Sequence, residues 1–218
     1  KLEMQKRIIT SVCLFFLLIF MYYYNFILVI SLIFIAIIDW IEFNALIIKI
    51  LKKKNNKNKI LKFLFKTISL IFFTILIYTI IIIKSLNTEL KDALVYILLI
   101  SILTDIGGLV IGSTFKGKKL TKISPKKTVS GALGSLFFSL MLVPFYFNSF
   151  IDYKTSILIL ITLAVSLTSQ IGDIFISYLK RKAKVKDTSN LLPGHGGVLD
   201  RIDGMIFAIP VGLFIFSI

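Results

Sequence analysis

Residues Phe26 to Ile48 read FILVISLIFIAIIDWIEFNALII, an apolar run whose charged members are Asp39 and Glu42 alone. A helix needs about 20 such residues to cross the hydrocarbon core of a bilayer, so this stretch decides between a membrane protein and a soluble one. The same ruler picks out Ile8–Met21, Phe63–Ile83, Leu90–Ile111, Val129–Phe147, Thr155–Tyr178 and Met205–Ile218, the first and last being short. Lys6 and Arg7 before the first block imitate a signal peptide, but no small-residue cleavage site follows, and the segment is taken as a membrane helix. The expected fold class is all-α, a polytopic transmembrane helix bundle of about seven spans.

Composition agrees. Hydrophobic residues make up 57% of the 218 and mean hydropathy is +0.92, which excludes an ordinary soluble globule. The excess of 26 Lys and Arg over 11 acids would suggest nucleic acid in a soluble chain. Here the bases sit in clusters between apolar blocks, so no nucleic-acid partner is expected. The clusters are Lys6–Arg7, Lys52–Lys62, Lys116–Lys127 and Lys180–Lys186 with Arg201, and they fall on alternate loops. By the positive-inside rule these loops and the amino terminus are cytosolic. The lone Cys13 can build neither an intramolecular disulfide nor a cysteine-based metal site.

Acids inside the spans require a reason, because each costs roughly 2.5–3.5 kcal/mol to insert. Asp39 and Glu42 either reach the interface, pair with nearby Lys49, or serve function. Asp105, Gly108 and Gly112 share one helix face, a small-residue seam that a carboxylate turns from plain packing toward a ligand approaching the backbone closely. Ser166, Gln170, Asp173, Ser177 and Lys180 line one face of the sixth span and are expected to border a water-filled cavity. Beyond that span, Pro193-Gly194-His195-Gly196-Gly197 is a backbone able to fold tightly around an anion with its amides as donors. Asp200 and Asp203, three apart, suit either Mg²⁺ ligation or capping of a helix start. Acids, bases and amides of this kind suit a metal-bound polyphosphate.

The stretch Ser177-Tyr178-Leu179-Lys180-Arg181, then Lys186-Asp187, then Leu192-Pro193-Gly194-His195-Gly196-Gly197-Val198-Leu199-Asp200-Arg201-Ile202-Asp203, closely resembles the signature of the phosphatidate cytidylyltransferases, or CDP-diglyceride synthases. Ile123 to Gly131 is similar to that family's Ser-Pro-Lys-Lys-Thr segment, with Ser130 where a Glu is usual. Ser130 is expected to be tolerated as a helix cap or supporting hydrogen bonder. The resemblance covers residues 100–204. It implies that phosphatidic acid attacks the α-phosphorus of CTP, giving CDP-diacylglycerol and pyrophosphate. The alternation of basic loops puts this chemistry at the cytosolic face, and compact size favours a bacterial plasma membrane.

The resemblance further implies a metal, Mg²⁺ or Mn²⁺, on Asp173, Asp200 and Asp203, with a monovalent cation such as K⁺ as a further candidate. Lys180 and Arg181 join these three as catalytic residues. Asp105, Ser124, Lys126, Lys127, Thr128, Ser177, Lys186, Asp187, His195, Gly196, Gly197 and Arg201 are expected at the substrates. For His195 a loop-fixing or phosphate-contacting role is preferred to proton transfer, since a phosphate nucleophile hardly requires a base. Residues 1–89 are expected to form amino-terminal membrane helices, and 90–218 a catalytic membrane domain with cytosolic loops at 112–128 and 180–203. The expected partners are CTP, phosphatidic acid and the bilayer, with a second copy in a homodimer as a further candidate. Rival readings are a CTP-dependent lipid-alcohol kinase and a secondary transporter of an anionic metabolite.

Overall fold

The computed structural model describes residues 9, 12–13, 16–17, 19–21, 23–52, 55–86, 88–121, 124, 127–146, 154–194 and 196–217. Six of the fourteen residues of the expected first span, and the candidate site residues Lys126 and His195, lie outside them. The described helices are α1 (Asn25–Ile50), α2 (Asn56–Leu86), α3 (Thr88–Phe115), α4 (Val129–Leu140), α5 (Val143–Tyr146), α6 (Thr155–Lys182), α7 (Leu199–Ile202) and α8 (Met205–Phe216). Among the described residues, five stretches are long and apolar enough to cross a membrane: Asn25–Ile50, Asn56–Ile83, Leu90–Phe115, Val129–Tyr146 and Thr155–Lys182. They coincide with the five central blocks of the sequence, and the fold class is the all-α polytopic membrane class. Met205–Phe216, with Pro210 inside it, is apolar but shorter.

Local chemistry sets the helix ends. The Asn55 side chain accepts the Asn58 amide at 2.9 Å where α2 begins, and Thr128 Oγ1 accepts the Gly131 amide at 3.0 Å where α4 begins. Lys180, Arg181 and Lys182 occupy the last turn of α6, where cations complement the carbonyl end of the helix dipole. The chain then leaves α6 through Lys184 in the left-handed region, φ 58°, while Val185 N–H donates to the Lys180 carbonyl at 3.0 Å and Lys184 N–H to Arg181 at 3.1 Å. This pair of backbone bonds closes the helix and aims the chain into the loop that follows.

The chain divides into two compact units. One comprises residues 1–82 and 179–202, the other 83–178 and 203–218. In the first, Trp40 Nε1 donates to the Lys66 carbonyl at 3.1 Å and the Lys66 ammonium lies 5.4 Å from the indole centroid, tying α1 to α2.

In the second unit, α3 packs on α4 through glycines. A Cβ on Gly131 would stand 2.9 Å from the Gly108 carbonyl oxygen, one on Gly108 2.8 Å from Ser135 Oγ, and one on Gly112 3.1 Å from Thr128 Oγ1. The face that was expected to receive a ligand at Gly108 and Gly112 is therefore filled by α4. Backbones approach this closely only where side chains are absent. Hydroxyls bridge the same unit: Tyr96 to Thr162 at 2.6 Å, Thr104 to Ser166 at 2.7 Å, and Ser135 to the Thr104 carbonyl at 2.6 Å. Ser166 is fully buried in such a bond, so the upper end of the polar stripe on α6 is interhelical packing rather than the wall of an aqueous cavity.

Gly134→Val tests the seam, because even a Cβ at Gly134 would overlap the Ile111 side chain. The variant is expected to lose about 1–3 kcal/mol through overpacking, read as a lower midpoint of thermal unfolding in detergent.

Candidate functional site

Two groups of ionisable side chains form, one in each unit. In the unit containing residues 83–178, the loop between α3 and α4 is a tight return. Leu120 N–H donates to Lys127 O at 2.8 Å, Val129 N–H to Lys118 O at 2.9 Å, and Lys127 N–H to Ser124 O at 3.0 Å. These bonds bring the Lys127 ammonium into an ion pair with Asp173 of α6. Ser177, one turn further along, donates to the other Asp173 oxygen at 3.3 Å. Asp105 of α3 lies within the electrostatic reach of both Asp173 and Lys127. The two side chains of the ion pair are 25% and 27% exposed, so the pair is open to exchange with a charged ligand.

Ser130 completes this group without acting as the cap. Thr128 takes that position, while Ser130 Oγ accepts the Gly117 amide at 3.2 Å and meets Thr128 Oγ1 at 3.0 Å. The hydroxyl therefore pins the end of the 116–119 turn to the start of α4. Asp203, in the same unit, is buried, and its Oδ1 accepts the Gly204 amide at 2.9 Å.

In the unit containing residues 179–202, Asp200 is the centre. Its Oδ1 accepts the Lys180 ammonium at 2.7 Å, and its Oδ2 accepts the amides of Thr188 at 2.8 Å and Gly197 at 3.0 Å and the Thr188 hydroxyl at 2.9 Å. Burial pushes the Asp200 carboxyl up, but the Lys180 bond, the two backbone amides and the lysine charge outweigh it and hold the group below the usual carboxylate range. The Lys180–Asp200 side chains are only 12% and 7% exposed, so this pair is a structural fixture where Lys127–Asp173 is not.

The glycine loop folds as its composition suggests but around a different anion. Gly194 and Gly196 have φ of 76° and 84°, the left-handed region that favours glycine. Leu192 and Gly196 exchange backbone bonds at 2.8 and 3.1 Å. The amides beyond them are not left for an external phosphate. Gly197 donates to Asp200, while Val198 and Leu199 donate to Glu42 of α1 at 3.2 and 3.0 Å. Glu42 was weighed as an interface acid, a lysine-paired acid or a functional one, and nothing in the spacing of residues so distant in the chain signalled its partner. Arg181, Lys186, Asp187 and Arg201 are exposed, Gly196 is half-buried beside Asp187, and Gly197 is buried.

Comparison with known proteins adds the lineage. The model of the cytidylyltransferase family matches residues 1–218. A protein of Rickettsia bellii named phosphatidate cytidylyltransferase is 41% identical over 119 residues, 51% of this chain and 52% of the relative. One of Staphylococcus aureus strain COL with the same name is 43% identical over 121 residues, 54% of this chain and 46% of the relative. One of Rickettsia typhi is 40% identical over 136 residues, 58% and 60% of the two chains. The chain thus spans about half the length of the curated relatives it matches.

The contrast between buried and open cations makes a prediction. Lys180→Met strands a buried carboxylate and is expected to cost about 3 kcal/mol. Arg181→Met, at an exposed neighbour, is expected to stay within about 0.5 kcal/mol. Thermal unfolding of the two variants side by side checks the difference.

Proposed function

Because this chain belongs to the cytidylyltransferase family, we propose that it transfers the cytidylyl group of CTP to phosphatidic acid. A phosphate oxygen of phosphatidic acid attacks the α-phosphorus, the bond to the bridging oxygen of the β-phosphate breaks, and CDP-diacylglycerol and pyrophosphate result. No protein nucleophile enters, so the residues' work is to align two polyanions and offset their charge. The observation that carries this reading is the partly exposed pairing of Asp173 with Lys127, a carboxylate for a cation and an ammonium for phosphate.

A divalent ion suits these donors. Asp173, Asp200 and Asp203 offer oxygen alone, and the first two already hold a positive group at ion-pair distance. Among the described residues no cluster of three or more His, Cys, Asp or Glu makes a ready cage. Mg²⁺ characteristically takes one or two carboxylates and completes its shell with water and phosphate oxygens. When bound, Mg²⁺ or Mn²⁺ would neutralise phosphate charge and polarise the phosphoryl oxygen. Lys127, being open to exchange, is assigned to a phosphate group of CTP or of the lipid, and Lys126 and Arg181 with it. Ser124 and Thr128 hold the turn that presents Lys127. Lys180 keeps Asp200 in place, and His195 is assigned to the loop rather than to proton transfer.

The site is assigned to the cytosolic face of a bacterial plasma membrane, with the amino terminus inside and about seven crossings. In a Cys13→Ser background, cysteines placed at Asn56 and at Lys118 are expected to react with an impermeant maleimide from the cytosolic side only. Labelling of the two from opposite sides would remove this topology.

The activity is tested with the purified chain, phosphatidic acid and CTP labelled at the α-phosphate. Label is expected in the lipid, to be lost with EDTA, and to fall at least about 100-fold in Asp203→Asn and Asp200→Asn, where shape is kept and charge is not. Label entering lipid from the γ-phosphate instead would mark a kinase and sink the proposal.

A further inference from the structure

Glu42 belongs to the membrane helix α1, yet all four hydrogen bonds recorded for its carboxylate come from one loop far along the chain. Oε1 accepts Ser189 Oγ at 2.6 Å and the Val198 amide at 3.2 Å, and Oε2 accepts Thr188 Oγ1 at 2.6 Å and the Leu199 amide at 3.0 Å. Glu42 is 4% exposed and Thr188 5%. A carboxylate so placed has no water to fall back on, and four donors match its four lone-pair directions. Charge-assisted bonds of this kind are about twice as strong as neutral ones, so the loop is fastened at both ends, at 188–189 and at 198–199.

Thr188 joins this clamp to the carboxylate beyond it. Its hydroxyl lies 2.6 Å from Glu42 Oε2 and 2.9 Å from Asp200 Oδ2, and its own amide gives Asp200 a further bond at 2.8 Å. One hydroxyl hydrogen thus serves two acids, and Asp200 is located relative to α1 through a single side chain. Gly197 closes the arrangement from the other side. A Cβ there would overlap the Thr188 hydroxyl and Glu42 Oε2 and come 2.7 Å from Oε1, so no residue larger than glycine leaves the clamp intact.

We infer that Glu42 and Thr188 are positioning residues for the reaction: they touch no substrate, and they fix the 188–200 loop so that Asp200 and the groups beside it stay in register. The inference rests on the proposed transfer reaction for its kinetic part only. The physical cost of loosening such a support is misplacement of groups that must align, and about 1 Å of displacement is enough for a loss on the order of 100-fold. The loss is expected in the rate at saturation rather than in CTP affinity, because the Glu42 carboxylate and the Thr188 hydroxyl are engaged within the protein.

The substitutions follow from donor counting. Glu42→Gln sets an amide NH₂ against two donors, of which the hydroxyl can turn away but the backbone N–H cannot. Thr188→Val removes the hydroxyl and keeps the shape, while Thr188→Ser restores it. Hydrogen exchange of the 188–200 segment in the purified full chain, read by mass spectrometry, is the first measurement. Glu42→Gln and Thr188→Val are expected to exchange at least about tenfold faster there, with Thr188→Ser close to the parent and exchange in α3 and α4 unchanged.

The second measurement is steady-state transfer. In Glu42→Gln and Thr188→Val kcat is expected to fall at least about tenfold while the KM for CTP stays within about threefold, and Thr188→Ser is expected to recover kcat. Unchanged exchange in both variants overturns the clamp. Faster exchange with unchanged kcat overturns the positioning role and leaves a purely structural one. A parent chain without transfer activity defeats the proposed reaction instead, and the exchange arm still decides whether Glu42 holds the loop. Should Glu42→Gln fail to fold, the Thr188→Val and Thr188→Ser pair carries both measurements.

Discussion

A carboxylate withdrawn from water must be given donors or a cation, and much of the polar structure in this chain follows from that requirement. Taking a charge into a low-dielectric interior costs several kcal/mol even after relaxation, so an acid buried in a membrane helix keeps its charge at low cost only where partners are already in place. Glu42 meets the requirement with two hydroxyls and two amides, Asp200 with a lysine, a hydroxyl and two amides, and Asp173 with a lysine and a serine. Among the described residues, the loop between α6 and α7 has no strand, and only the four-residue α7 follows it. The loop's two ends are shaped by the acids they wrap, at 188–189 and 197–199, and the Leu192–Gly196 backbone pair closes the glycine turn between them.

The same requirement explains which parts of the fold were legible in the sequence. Apolar length is a one-dimensional property, and the blocks beginning at Phe26, Phe63, Leu90, Val129 and Thr155 each appear as a long helix because nothing in the chain competes with that outcome. The start of α4 at Val129 was legible, but Ser130 was expected there as a cap or supporting hydrogen bonder, whereas Thr128 takes the cap position. Long-range pairing was not legible. Asp105, Gly108 and Gly112 share a face by helical periodicity, but whether that face meets a ligand or another helix depends on Gly131, Gly134 and Ser135, which offer the complementary small surface. Periodicity assigns residues to a face and cannot name its neighbour.

The candidate site divides along the same line. The cluster of Lys180, Asp200 and the glycines lies within about 20 residues of chain, so its chemistry could be read directly. Glu42 lies 146 residues from Thr188, and an isolated acid in an apolar run carries no sign of its partner. What misled was the amide count: a glycine loop was expected to keep its N–H groups for phosphate, whereas Gly197, Val198 and Leu199 spend theirs on Asp200 and Glu42.

That internal use of amides changes how the chain can handle a polyanion. If backbone N–H groups at Gly197, Val198 and Leu199 are committed to carboxylates of the protein, phosphate charge must be met by side chains and by a cation. Side chains suited to this are those not locked in burial. Lys127, a quarter exposed in its pair with Asp173, can release the carboxylate and turn to a phosphate oxygen with little desolvation to overcome. Lys180, 12% exposed, would leave Asp200 stranded if it did the same. In the proposed reaction, two lysine–aspartate pairs of identical chemistry are set to different work by exposure: the open pair is the exchangeable one, and the closed pair keeps the loop's charge fixed.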